Sequence, residues 1–540
     1  MTNMANGPVM LRARSATPSR ETGCETMRQA IGRESTAGGL ALRALRRYPN
    51  RIAFAWDGAS LTYAAALDLI GRMQAVFAGH GLRPGQCMAL LSGNRAEAWC
   101  AGVAAQAFGL TVTWLHPLAP AEDHAHQLSD AGADVLLVDV RRFAECGGAL
   151  AARAGGPRAV FTVGPAAYGT DLLREAELVG PSMARDVATP EGIASLYYTG
   201  GTIGFAKGVA TAHPWLATLT ATVLNDFELP DRPHYLAVGP ISHVTGSKIV
   251  PTLVRGGTVH LLDGFSPTEV LTAIERERIN VTLLAPPSIY ALLDDPALRT
   301  ADLASLELLL YGASAITPDR LAEGLDRIGG VFSQFYGQTE CYPISLLRRT
   351  EHDLERPELL TSAGRPVTAS TVAVLDDEGN EVSTGNTGEI CVRSPLAMNG
   401  YHRRPGLTEE VFAHGWLHTG DIGRVDDRGY IFIVDRMKDM IIRNGVNVFS
   451  RGVENALSEH PAVSQAAVFG TPDAVTGEAV NAAVVLHRGA YVDADALTRY
   501  VRERKGHLQA PQRIYFVDEV PTTGLGKADK RALRDSLTAG

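Results

Sequence analysis

Short apolar runs of strand length alternate, over most of the chain before residue 372, with longer patterns of helical period. The runs 133–138, 159–163 and 281–285 are dominated by Val, Leu and Ala, whereas 267–276 spaces its apolar positions as one face of a helix. This alternation predicts an α/β architecture. From residue 372 onward the texture changes to short strand-like runs separated by the turn signals Asp376-Asp-Glu-Gly379 and Asp426-Asp-Arg-Gly429, which predicts a β-rich subdomain. After Arg436 a compact α+β segment follows, helical at 452–460 and strand-like at 466–468 and 482–486. A chain of 540 residues exceeds what one hydrophobic core supports, so at least two domains are expected.

Composition narrows the function. With 45% apolar and 20% charged residues and a net charge of −9, the chain lacks the basic surface that general nucleic-acid binding needs. Its six cysteines form no C-x-x-C pair or tight cluster, which fits reduced thiols in a cytoplasmic protein. Residues 98–115 are uncharged, but Gln106, Thr111 and Thr113 interrupt them and Gly109 divides them. A buried helix leading into a buried strand is therefore expected there, with no membrane span. Residues 1–35 carry Arg12, Arg14, Arg20 and Arg33 without an apolar stretch. They read as a poorly ordered N-terminal extension rather than a secretory signal.

The chemistry is carried first by residues 198–209, Tyr-Thr-Gly-Gly-Thr-Ile-Gly-Phe-Ala-Lys-Gly-Val, read as a loop after the apolar stretch 193–198. Gly200, Gly201, Gly204 and Gly208 let backbone N–H groups approach an anion, and Thr199, Thr202 and Lys207 add hydroxyl and ammonium donors. By composition alone the segment fits either a phosphate cradle or a glycine-rich surface turn, since it lacks P-loop spacing.

Four further segments shift the reading toward the first: Tyr311-Gly-Ala-Ser314, Gln334-Phe-Tyr-Gly-Gln-Thr-Glu340, Trp416-Leu-His-Thr-Gly-Asp421 with Asp435-Arg436, and Pro521-Thr-Thr-Gly-Leu-Gly-Lys527. In this order they resemble the adenylate-forming superfamily of acyl-CoA synthetases, firefly luciferase and adenylation domains, most closely an acyl-CoA synthetase. The resemblance runs from Pro49-Asn-Arg-Ile-Ala53 to Lys530. It implies a large domain, 36–434, of α/β subdomains plus the β-rich one, a hinge, 435–438, turning at Lys438, and a small mobile domain, 439–540.

The resemblance also implies roles. Gln334 would bond the adenine edge, Tyr336 would stack on the ring, and the backbone at Gly312, Ala313, Ser314 and Gly337 would wall the pocket. Thr339 would bond the α-phosphate, and Glu340 would hold Mg2+, which prefers hard oxygen ligands. Asp421 would accept from the ribose hydroxyls, although a turn aspartate after Thr-Gly is the plainer reading. Arg436 would touch ribose or phosphate, and Lys527 would stabilise charge during adenylation. His243, in Gly239-Pro-Ile-Ser-His-Val-Thr-Gly246, would border the substrate carboxylate, with an acid–base role as a second reading. Gly445 would lie on the path of the CoA thiol. The substrates implied are ATP, CoA and a small, apolar carboxylic acid.

The pattern departs from the family at Ile203 and Ala206, and again at Ser450 and Gly452, although Glu454 remains. Loss of a hydroxyl at Ile203 removes a bond to a charged oxygen, a cost of roughly 1.5–3 kcal/mol. Alternative readings follow: a ligase that takes a preformed acyl-adenylate from a partner enzyme, or one that transfers to a carrier-protein phosphopantetheine.

Overall fold

The computed structural model describes residues 35–538 apart from 154, 200–205, 315, 474 and 522–527. The expected N-terminal extension, Gly200, Gly201, Thr202, Ile203, Gly204 and Lys527 lie outside the described residues.

Two large sheets form the bulk of the fold. The nine-stranded sheet runs parallel through Phe332–Gln338, Leu308–Tyr311, Val281–Leu284, His234–Ala237, Thr258–Leu261 and Ile52–Trp56, with antiparallel strands added at both sides. The eight-stranded sheet runs parallel through Ile193–Thr199, Thr111–Trp114, Cys87–Leu91, Val135–Asp139, Ala159–Val163 and Thr170–Asp171. Their central strands are buried along their whole length, as in Leu308–Tyr311 and Cys87–Leu91, because helices cover both faces. That is why these strands read as unbroken apolar runs.

The stretch 98–115 resolves as expected into the buried helix Ala96–Ala107 and the strand Thr111–Trp114, with Gly109 at φ +87° making the turn between them. Segment 198–209 differs from its reading as a loop. Lys207 opens the strand Lys207–Ala212, paired antiparallel with Ile193–Thr199 so that Thr199 faces Lys207. Val209 and Ala210 are buried in this hairpin, which shortens the connection to residues 200–206.

The β-rich subdomain is the antiparallel sheet of Thr371–Leu375, Gly388–Arg393, Leu417–Val425 and Ile431–Arg436. Both expected turns are present, with Gly379 at φ +81° and Gly429 at φ +82°. Beyond it a smaller unit has its own core, in which Ile441, Val453, Leu457, Val468, Val480 and Leu497 pack between a five-stranded sheet and its helices. Its first helix, Ser450–Ser458, begins two residues before the expected 452. The Ser450 N–H donates to the carboxylate of Asp435, an acceptor lent by the strand Ile431–Arg436, so the helix starts there.

Candidate active site

Several of the expected site residues lie at the carboxyl ends of parallel strands, where open α/β sheets hold their ligands. Thr199 ends Ile193–Thr199, Gly312 follows Leu308–Tyr311, and Thr339 and Glu340 form the turn after Phe332–Gln338. His243 follows His234–Ala237 after a short loop.

Side chains join the two sheets there. Lys207 Nζ stands 5.0 Å from the centre of the Tyr401 ring, and the Tyr401 hydroxyl donates to Glu340 Oε1 at 2.9 Å. Tyr401 itself is fixed by pairing with Val209, and the Met398 N–H donates to the Glu340 carbonyl at 2.7 Å. Glu340 is thus held by one carboxylate oxygen and its carbonyl. A hard carboxylate engaged at one oxygen suits a cation that keeps most of its ligands as water and phosphate.

Gln334, Tyr336, Asp421 and Arg436 form a second group. The Tyr336 hydroxyl donates to Asp421 Oδ2 at 2.6 Å, while Arg436 Nε lies 3.1 Å from Oδ1 of the same carboxylate. Asp421 is only 3% exposed and sits inside the strand Leu417–Val425, opposite Arg436. The turn reading of Asp421 therefore gives way to a strand aspartate. Gly420 at φ +70° and the Thr419 hydroxyl, which donates to the Ile390 carbonyl and accepts from the Asp421 N–H, shape the backbone around it. Glu389 accepts from the Gly420 N–H at 2.8 Å and pairs with His418 at 2.7 Å, bracing the same strand. The Tyr311 hydroxyl lies 3.0 Å from Gln334 Oε1 and 2.9 Å from His352 Nε2, so Gln334 is oriented from behind. Gly312 needs its missing side chain, since a Cβ there would come within 2.5 Å of Phe335. Ala313, at φ +68°, and Ser314 are exposed beyond it.

His243 sits where the sheets approach each other. Its Nδ1 is 2.8 Å from the Ser242 hydroxyl, and the His116 ring meets it edge-on at 4.5 Å. Burial, with His116 beside it, pushes its pKa down to about 3, so the ring is neutral near pH 7. The residue that locks this segment is Asn94, which sequence reasoning did not single out. Its amide donates to the carbonyls of Leu262 at 2.7 Å and Gly239 at 3.0 Å, and its oxygen accepts from the Ile241 N–H at 2.9 Å. Asn94 follows the strand Cys87–Leu91, and no local motif marks it.

The smaller unit meets this site at Asp435 to Arg451. Lys438 lies on the 3-10 turn Met437–Asp439. Desolvation at the junction and neighbouring Arg436 lower its pKa, while Asp439, Asp421 and Glu340 oppose them. Burial likewise lowers Arg451, against Glu454, Asp435 and Asp421. The Ser450 hydroxyl donates to Asp435 Oδ1 at 3.1 Å and accepts from Lys530 Nζ at 2.7 Å, and Lys530 pairs with Glu454 at 2.8 Å. Ser450, a departure from the family pattern, is thus an anchor of the junction. Asn444, at φ +53°, and Gly445, at φ +71°, form the exposed tip of the hairpin Ile441–Arg443 and Val446–Val448, with open space where a Cβ of Gly445 would be.

Comparison with known proteins agrees with this arrangement. Residues 42–402 match the AMP-binding enzyme family, and residues 452–527 match the AMP-binding enzyme C-terminal domain. The chain is 42% identical over 519 residues to the medium/long-chain-fatty-acid–CoA ligase FadD8 of Mycobacterium tuberculosis, covering 93% of this chain and 90% of that one. It is 34% identical over 510 residues to a feruloyl-CoA synthase of an Amycolatopsis species, covering 93% and 99%. In structure it is similar to the amide bond synthetase McbA of Marinactinospora thermotolerans, with a TM-score of 0.86 at 36% identity over 93% of this chain and 99% of that one. The chain belongs to the AMP-binding, adenylate-forming enzyme family.

Proposed function

We propose that the protein is an AMP-forming acyl-CoA ligase. A carboxylate oxygen of the acid attacks the α-phosphorus of ATP, the bond to pyrophosphate breaks, and an acyl-adenylate forms. The CoA sulfur then attacks the acyl carbon, the bond to AMP breaks, and the thiol proton passes to solvent. The observation that carries this reading is that Lys207 and Glu340 meet on Tyr401 while Asp421 pairs with Arg436 and Tyr336, in a chain similar to ligases of this type. No covalent step on the protein is needed, since charge stabilisation and alignment of the reacting oxygens lower the barrier.

In this reading Gln334, Tyr336 and the Gly312–Ser314 backbone hold the base, Asp421 and Arg436 hold the ribose, and Thr199, Lys207 and Thr339 face the phosphates with residues 200–204. Glu340 would hold Mg2+, which when bound neutralises phosphate charge. The neutral ring of His243 walls the acid, because a group with a pKa near 3 is a poor base at pH 7. The large domain spans 36–434, the hinge 435–438 turns at Lys438, and the small domain, 439–540, brings first Lys527 and then Gly445 to the site. The acid is apolar, in keeping with the fatty and feruloyl groups named for the relatives. Among the described residues no helix is long and apolar enough to cross a membrane, and we place the enzyme in the cytoplasm.

The test is to supply a panel of fatty and aromatic acids with ATP and CoA and measure thioester and AMP together. Stoichiometric formation of both supports the reading. Thioester formed only from a supplied adenylate would favour dependence on a partner adenylating enzyme. Acyl transfer to a carrier protein but not to CoA would favour the carrier as acceptor.

A further inference from the structure

Lys248 is wholly buried, at 0% exposure, and no carboxylate among the described residues pairs with it. Its Nζ donates to the Tyr342 hydroxyl at 2.6 Å and the Ser247 hydroxyl at 2.8 Å. Around it stand the rings of Phe227 and Tyr342, each 4.8 Å away, and of Phe335 at 5.6 Å. An ammonium has three donors, and here only two meet an oxygen. Burial without a counter-ion pushes its pKa down to about 7. Nothing in the packing of a core calls for such a group, because a methionine would fill the same space without the desolvation cost.

Its place gives it a use. Lys248 ends the 3-10 turn Val244–Lys248, which starts at His243, and it touches the strand Cys341–Leu347 through Tyr342. Phe335 is the ring that backs Gly312, and Tyr342 packs 3.1 Å from where a Cβ of Gly337 would lie. The amine is therefore directly behind both the His243 segment and the hairpin that carries Tyr336, Thr339 and Glu340. Two more hydroxyls in this neighbourhood are buried without a partner. Thr252 Oγ1 is one helical turn beyond Lys248, and Thr220 Oγ1 is on the helix Pro214–Asp226 that leads into Phe227. In the ligase reading, an acid whose carboxylate borders His243 would extend its acyl chain along the turn Val244–Lys248, toward this group.

We propose that Lys248 is a specificity-determining residue of the acyl pocket, donating to an oxygen acceptor, keto or hydroxyl, carried on the otherwise apolar body of the acid. This rests on the ligase reading above. It adds that a purely hydrocarbon acid is the poorer substrate, because it leaves the amine's third donor and the threonine hydroxyls unmet.

The experiment measures, by calorimetry on the full chain, binding of stable acyl-sulfamate mimics of the acyl-adenylate. One series carries a keto group at successive carbons of a straight chain beside its unsubstituted parent, and a second pair is cinnamoyl and para-hydroxycinnamoyl. The wild type is expected to prefer at least one oxygenated member over its parent by about tenfold or more. Lys248→Met should abolish that preference, and Lys248→Gln, which keeps a donor, should restore part of it. Tyr342→Phe, which keeps the ring and frees an amine hydrogen, should leave the preference intact. A wild type indifferent to every oxygenated member, or a Lys248→Met variant that keeps the preference, overturns the proposal while parent binding leaves the ligase reading standing. Failure of every mimic to bind the wild type overturns both.

Discussion

The strand-end site and the Asn444-Gly445 hairpin hold their candidate residues in opposite ways. At the strand ends each polar group is tied from behind: Glu340 by Tyr401, Asp421 by Tyr336 and Arg436, His243 by the Asn94-anchored loop. The hairpin has a backbone fixed by two left-handed residues and by the Asn444 N–H donating to the Thr476 carbonyl at 2.7 Å, yet the space where a Cβ of Gly445 would lie is open. The first arrangement preorganises charge for a reaction that must be aligned before it starts. The second suits a part that works only when carried to the site, which is what two successive half-reactions on one adenylate require.

The contrast breaks most visibly if each half-reaction cannot be lost separately. Lys527→Ala is expected to slow adenylate formation by about a hundredfold or more while thioester formation from supplied adenylate continues. Gly445→Trp should do the reverse, cutting CoA transfer by about tenfold or more and leaving adenylation intact, since a bulky residue at φ +71° is strained and, on the proposed path, would obstruct the thiol. Single-turnover measurement of each half-reaction checks both. Equal losses in the two halves would remove the distinction between fixed and carried residues.

Asn94→Ala sharpens the fixed side. It strands the Ile241 N–H and the carbonyls of Gly239 and Leu262, and is expected to lower stability by about 1–3 kcal/mol. Because the freed loop carries His243, the KM for the acid should rise more than the KM for ATP. Denaturant unfolding and steady-state kinetics on both substrates test this, and equal rises would reduce Asn94 to a purely structural role.

Much of the fold was legible because central strands such as Ala159–Val163 and Val281–Leu284 are buried by both helix layers and leave an apolar signature in the local sequence. The site was legible where a motif keeps its residues close, as in Gln334 to Glu340. It was not legible where contacts are long-range. Asn94 acquires its role from carbonyls more than 140 positions away. The burial of Lys248 comes from rings at 227, 335 and 342. Asp421 looked like a turn residue because Thr-Gly precedes it, yet its strand continues through a glycine at φ +70°. Ser450 looked like a loss, and instead it bonds Asp435 and Lys530.

A further expected effect is on stability against pH. Burial pushes the pKa values of His260 and His352 from 6.5 down to about 4, so between those values the unfolded chain binds protons that the folded chain does not. Their contribution is fully present above pH 6.5 and is lost as pH falls, by up to about 1.4 kcal/mol per unit for each ring. Unfolding free energies measured from pH 7.5 to 5 should therefore decline toward acid, less steeply in His260→Gln. A flat profile would contradict the buried, neutral assignment.

The central claim is that this site activates an acid with ATP on its own. It is tested most directly by acid-dependent exchange of labelled pyrophosphate into ATP in the absence of CoA. With Thr199 and Lys207 remaining in the proposed phosphate-binding segment, the account predicts exchange at an enzyme-like rate for at least one acid of a broad fatty and aromatic panel, despite Ile203 and Ala206. No exchange with any acid, while preformed adenylate and CoA still give thioester, would contradict it.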